Sequence, residues 1–147
     1  MIPAIVALDL ASKMWARDLL NSGQPVRVTP FFDFNLGFNP GIAFGLLDTW
    51  SAPALALVAT AITGVFGYLF LRETRLATRI ALVLILGGAV ANLADRLLHG
   101  GVTDFLDFHA AGLHWPAFNL ADSALTFGLI AFLIDGVRGR ARGSANP

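Results

Sequence analysis

Four stretches of the chain have the apolar patterning of helices that cross a bilayer, which takes about 20 mostly apolar residues. Three are clear: 53–71 (PALALVATAITGVFGYLFL), 79–98 (RIALVLILGGAVANLADRLL) and 117–137 (AFNLADSALTFGLIAFLIDGV). A fourth, 1–20 (MIPAIVALDLASKMWARDLL), is shorter and more polar. It reaches Asp9 after eight residues, about 12 Å of helix at 1.5 Å per residue. It lacks a basic leader and a small-residue cleavage site, so it reads as the start of a retained membrane helix and not as a cleaved signal.

The polar exceptions inside these runs fall at helical spacing. Gly88, Asn92, Asp95, Arg96 and His99 share one face of the third span, and Asn119, Asp122, Ser123 and Thr126 share one face of the fourth. Asp9, Ser12, Lys13 and Ala16 repeat the pattern on the first. The second has no acid or base in its body and reads as a wall. Segment 26–47 breaks the helical period. Its Phe, Val and Thr alternate locally and are punctuated by Pro30, Gly37, Pro40 and Gly41, which predicts short antiparallel strands on the membrane surface.

Charge orients the set. Arg72, Arg75 and Arg79 lie between the second and third spans, and Arg138, Arg140 and Arg142 follow the fourth. The positive-inside rule places both groups and both termini in the cytoplasm. Residues 21–52 and 99–116 then lie outside, and Trp15, Trp50 and Trp115 fall at the outer boundary, where such rings favour the interface. Residues 1–137 read as one membrane-embedded domain and 138–147 as a disordered cytoplasmic tail.

Composition sharpens this picture. The 147 residues are 56% hydrophobic and 14% charged, so the apolar excess must face lipid. Zero net charge, without a basic patch interleaved with aromatics, argues against a nucleic-acid partner. With no cysteine, thiolate catalysis and Cys-based metal sites are excluded.

The third span ends outside and the fourth begins there, so their polar faces meet at one depth in the outer leaflet. Asp104 follows the third span, and Asp122 stands eighteen residues later, one turn into the fourth. Two carboxylates brought together in a poorly hydrated site share a proton near neutrality. That state suits water attack by general acid–base catalysis. No Ser or Cys stands beside a base as a nucleophile would, and no cofactor is expected.

These residues resemble those of the lipoprotein signal peptidases, bacterial membrane aspartic peptidases also called signal peptidase II. DLASK (9–13) is similar to the family's first-helix Asp-x-x-x-Lys, and NPGIAF (39–44) to its Asn-x-Gly-x-Ala-Phe loop. GGAVANLADRLLHGGVTDFLDF (87–108) resembles its Gly-Gly, Asn-x-x-Asp-Arg and Val-x-Asp-Phe block, and FNLADS (118–123) its Phe-Asn-x-Ala-Asp-Ser block. The resemblance covers about residues 9–128 in the right order.

It implies four transmembrane helices with a small extracytoplasmic antiparallel β-sheet cradle, in the bacterial cytoplasmic (inner) membrane. It implies Asp104 and Asp122 as the catalytic pair. Asp9, Lys13, Asn39, Gly41, Asn92, Asp95, Arg96, Asn119 and Ala121 would bind substrate or support the site. The implied substrate is a prolipoprotein bearing a diacylglyceryl-modified cysteine, cut just before that cysteine. The implied partners are this substrate, membrane lipid and globomycin-type inhibitors, with the chain acting as a monomer.

Plainer readings stand beside these. Asp9 and Lys13, at i and i+4, can simply pair with each other, and Asp95 and Arg96 can brace helix ends. Asn39, Asn92 and Asn119 can tie loops to helices or hold substrate backbone. Asp18, Asp33, Asp48 and Asp107 read as solvated outer-surface charges. Gly87 and Gly88 read as a close helix contact, and His99, His109 and His114 lack metal-ligand spacing. Asp104 itself, in a loop, could be merely solvated. The rival function is a proton-coupled carrier or channel subunit, which expects acids strung through the membrane depth and an internal repeat. Here the acids gather at the outer level and the cytoplasmic half reads as apolar.

Overall fold

The structure, a computed structural model of the chain, describes residues 1–40 and 52–143. In chain order these form α1 (Ile2–Leu19), β1 (Val26–Thr29), β2 (Phe32–Asn39), α2 (Ala52–Arg72), α3 (Leu76–His99), β3 (Val102–Ala110), β4 (Leu113–His114) and α4 (Leu120–Gly143). The molecule is mainly helical with one small antiparallel sheet in the order β1-β2-β3-β4.

The helices follow the apolar runs within a few residues. Three are long and apolar enough to cross a membrane, at Pro53–Arg72, Leu76–His99 and Leu120–Arg138. α1 has 18 residues, about 27 Å of helix, and its buried positions, Asp9, Lys13 and Ala16, are the face expected from spacing. Of the segment 138–147 expected as a disordered tail, residues 138–143 continue α4 and 144–147 lie outside the described residues.

α3 is the hub, packed against α1, α2 and α4. Its paired glycines make that possible. A methyl group at Gly87 would come within 2.8 Å of Ile5 on α1, and one at Gly88 would run into the Ala121 carbonyl of α4. Both helices therefore approach the α3 backbone directly. By contrast Leu57, Ile62 and Val65 of α2 and Phe127, Leu133 and Val137 of α4 are exposed, as lipid-facing residues are.

The sheet holds the main departure from expectation. β1 and β2 lie inside the segment predicted as strands, but residues 41–47 of that segment fall outside the described residues. Residues 102–110, expected as loop, form β3, the longest strand. α3 ends at Gly100 with φ +81°, a left-handed turn that suits glycine and sends the chain straight into β3. Val102, Thr103, Asp104 and Phe105 are all buried, so the first half of this strand is covered on both faces. A strand covered on both faces shows no apolar–polar alternation, which is why period alone does not reveal it.

Candidate active site

Asp104 lies on β3 opposite Gly37 of β2 and is 5% exposed, so it is neither in a loop nor solvated. A short bridge delivers its neighbour: Phe118 pairs with Leu106, its carbonyl accepting from the Phe105 and Leu106 amides at 3.1 and 2.9 Å. This docks the start of α4 against β3 and brings Asn119 beside Asp104.

Asn119 then binds both carboxylates. Its Nδ2 donates to Asp104 Oδ1 at 2.7 Å and to the Thr103 carbonyl at 3.2 Å. Its Oδ1 accepts from the Asp122 amide at 2.9 Å, while its own amide donates to Asp122 Oδ2 at 3.2 Å. The Asn119–Asp122 exchange is a capping box on α4, which satisfies two orphan donors of the helix start. It also fixes the rotamer of Asp122. Because Oδ1 of Asn119 is committed to the cap, its Nδ2 must face Asp104.

A second asparagine is oriented the same way. Lys13 Nζ can only donate, and it donates to Asn92 Oδ1 at 2.8 Å, so Asn92 turns Nδ2 to Asp122 Oδ1, also at 2.8 Å. Lys13 is fully buried and pairs with Asp9 Oδ2 at 2.7 Å. Asp9 Oδ1 accepts from the Ala121 amide at 2.8 Å. The i, i+4 pair of α1 is thus real, and it also reaches across to α3 and α4.

Asp95 is the third node. It accepts from the Thr103 amide at 2.7 Å and from Arg17 Nη1 at 3.1 Å. It also lies 2.8 Å from His99 Nδ1 and 3.7 Å from Lys13 Nζ. Arg17 donates to Thr103 Oγ1 at 2.7 Å as well. Asp95 therefore clamps the first residues of β3 to α1 and α3, one residue before Asp104. Arg96 is buried within the field of Asp104, Asp122 and Asp95. Asn39 hydrogen-bonds to Asp104 from β2.

Burial and the nearby charge of Asp122 push the Asp104 carboxyl up to about 7, against the opposing donors Asn119 and Asn39. A carboxyl in that range is partly protonated at neutral pH, as general acid–base chemistry needs.

Of the residues singled out from sequence, Asp9, Lys13, Asn39, Asn92, Asp95, Arg96, Asp104, Asn119, Ala121 and Asp122 come together in this one network. Gly41 lies outside the described residues, as do Asp48 and Trp50. Asp107 corrects its expectation as a solvated charge. It is 4% exposed, accepts from Asn35 Nδ2 at 3.1 Å and lies 2.9 Å from His114 Nδ1. Burial alone would raise it, but His114 and Asn35 hold it below the usual carboxylate range. Asp33 likewise is mostly buried, its side chain 17% exposed, and it meets His109 Nε2 at 3.3 Å. Among the described residues no group of His, Cys, Asp or Glu has the arrangement of a metal site. Arg17 and Thr103 were missed by sequence reasoning. The signal for Arg17 was present, since it stands four residues after Lys13 on the same helix face.

The chain has close relatives. The family model described as "Signal peptidase (SPase) II" matches residues 1–138. The lipoprotein signal peptidase of Burkholderia thailandensis is 42% identical over 145 residues, covering 95% of this chain and 86% of the relative. That of Burkholderia vietnamiensis is 43% identical with the same coverage. Among solved structures, a bacterial membrane enzyme determined by the in meso method at 2.3 Å superposes with a TM-score of 0.83 at 28% identity, covering 96% of this chain and 87% of that one. Another, at 1.9 Å, gives 0.80 at 30% identity, with 91% and 88% covered.

Proposed function

The chain belongs to the signal peptidase II family, proteases that remove signal peptides from prolipoproteins, and on that premise we propose that Asp104 and Asp122 are its catalytic pair. The observation that carries this is Asn119, which holds one carboxylate with its amide side chain and the other with its backbone N–H. The pair titrates as a unit. In its singly protonated state Asp104 carries the proton and Asp122 is the base.

Water held between them loses a proton to Asp122 as its oxygen attacks the carbonyl carbon of the peptide bond before the modified cysteine. Asp104 donates its proton to the carbonyl oxygen, giving a neutral diol. Asp122 then returns its proton to the leaving nitrogen as the carbon–nitrogen bond breaks, and Asp104 recovers a proton from the diol. The products are a free carboxyl and a free amine, and the pair is reset. General acid–base catalysis of this kind is typically worth 10²–10⁴-fold.

The remaining assignments follow from the same frame. All four helices cross the membrane as one domain, α1 being about long enough with a slight adjustment of the bilayer. The arginine clusters support cytoplasmic termini and a site in the extracytoplasmic leaflet of the inner membrane. The diacylglyceryl chains of the substrate supply binding by area, about 0.8 kcal/mol per buried CH₂. Globomycin-type cyclic peptides are the expected inhibitors, competing with the prolipoprotein for the carboxylate pair.

The test is cleavage of a lipid-modified prolipoprotein by the purified protein, read by mass analysis. Asp104→Asn and Asp122→Asn should each abolish turnover, and the double variant should be little worse, because the residues act as one unit. Asp107→Asn should keep most activity. Near-wild-type cleavage by either single variant, or loss only at Asp107, overturns the assignment.

A further inference from the structure

The end of the bundle remote from the carboxylates holds a second charged cluster, and it corrects the expectation that this half is apolar. Asp135, inside the fourth span, accepts from the buried Thr78 hydroxyl and pairs with Arg75 at 3.1 Å. Arg75 also meets Glu73 at 3.3 Å. Beside this latch stand two more exposed arginines. The guanidinium of Arg72 lies over Tyr68, 5.4 Å from the ring centre, and that of Arg79 lies over Phe70 at 4.7 Å. Arg72, Arg75 and Arg79 against Glu73 and Asp135 leave this rim net positive.

Between α2, α3 and α4, Arg72, Glu73, Arg75 and Thr78 of this cluster border a cleft of about 180 Å³, with the Glu73 carboxylate turned to Arg75. Its buried wall includes Leu82 and Thr78, and its exposed edge carries Arg72 and Arg75. Leu69 and Phe132 line the side towards the exposed apolar surface of α2 and α4. At about 30 Å³ per water, the space takes roughly six waters, or one phosphate with its glycerol.

We propose that this cleft binds the headgroup of an anionic diacylglycerol phospholipid, with the phosphate between Arg72 and Arg75 and the first acyl carbons along Leu69 and Phe132. Depth is the first reason. The apolar spans end at Arg72 and Arg138 and begin at Leu76, so the cleft lies where the hydrocarbon stops and phosphates begin. The mixture of walls is the second, because free phosphate would use the arginines and leave Leu69 and Phe132 idle. Charge is the third. A zwitterionic lipid would add its own cation to a rim already net positive, whereas basic pockets between spans suit anionic headgroups. Arg75 can serve while paired, since a guanidinium has five donors in a fixed fork. The site is far from the catalytic pair and needs only that the helices span the membrane.

Native mass spectrometry of the full chain in neutral detergent, titrated with phosphatidylglycerol, phosphatidylcholine or inorganic phosphate, tests this. One phosphatidylglycerol per chain should be retained saturably, and phosphatidylcholine about tenfold more weakly. Arg72→Gln should cut phosphatidylglycerol retention about tenfold, the loss expected for one charged hydrogen-bond donor. Gly136→Leu should block it with every charge kept, because a Cβ at Gly136 meets nothing within 4 Å and its side chain would fill the cleft. Circular dichroism checks that each variant is helical. Equal retention of the two lipids, unchanged retention in folded Gly136→Leu, or displacement by equimolar inorganic phosphate overturns the proposal. Asp104→Asn should retain the lipid like the wild type, so failure of the catalytic assignment would leave this result unaffected.

Discussion

Replacing Asp104 by Asn should stabilise the protein at alkaline pH and leave its stability at acid pH nearly unchanged. The carboxyl is pushed from its ordinary 3.8 up to about 7 by burial and by Asp122. Between those values the folded protein holds a proton that the unfolded chain has released. Wild-type stability therefore falls as pH rises through this window and levels off above about 7. At about 1.4 kcal/mol per pH unit the full cost is about 4 kcal/mol. Water reaching the half-buried Asp122 side of the pair screens part of it and leaves roughly 2–4 kcal/mol.

The introduced amide carries no charge, and its Oδ1 can still accept from Asn119. The variant should thus escape the cost while keeping the contact. For a chain of this size that is on the order of 5–10 °C in apparent Tm at pH 8 and close to nothing at pH 4. Thermal unfolding of both proteins in neutral detergent across pH 4–8 measures it. Wild-type turnover should decline above about pH 7, as the shared proton is lost. An equal advantage for the variant at both ends of the pH range, or none at pH 8, would refute the account of why Asp104 titrates high.

Three other outcomes are expected. Gly88→Ala should destabilise the α3–α4 contact by about 1–3 kcal/mol, because its methyl meets the Ala121 backbone, which cannot turn aside; thermal unfolding reads it. Arg17→Ala should lower kcat about tenfold with little change in KM, since it releases Asp95 and the Thr103 hydroxyl from α1 and leaves the start of β3 held to Asp95 by the Thr103 amide alone, and Arg17→Lys should restore part of the rate because one ammonium can still reach Asp95 or Thr103. A reporter fused after Arg142 should be active only in the cytoplasm, and activity only outside would place the carboxylates in the opposite leaflet.

The sequence alone determined what depends on neighbours three and four residues away. Apolar length located the helices, and i, i+3 and i, i+4 spacing placed Asp9 with Lys13, Asn92 with Asp95 and Arg96, and Asn119 with Asp122 on single faces. Those relations are local to one helix, so they survive without knowledge of its partners. Tertiary structure decided the rest. The first half of β3 is covered on both faces, so the burial of Asp104 left no periodic trace in VTDFLDFHA. Arg17 found its acceptors, Asp95 and Thr103, 78 and 86 residues away. The direction of the Asn92 amide follows from Lys13 of another helix. Asp135, an acid in an apolar run, is held by Arg75 and Thr78 from across the bundle. Pairings of this kind depend on which surfaces meet after packing, and a linear pattern records only the surface that each segment offers.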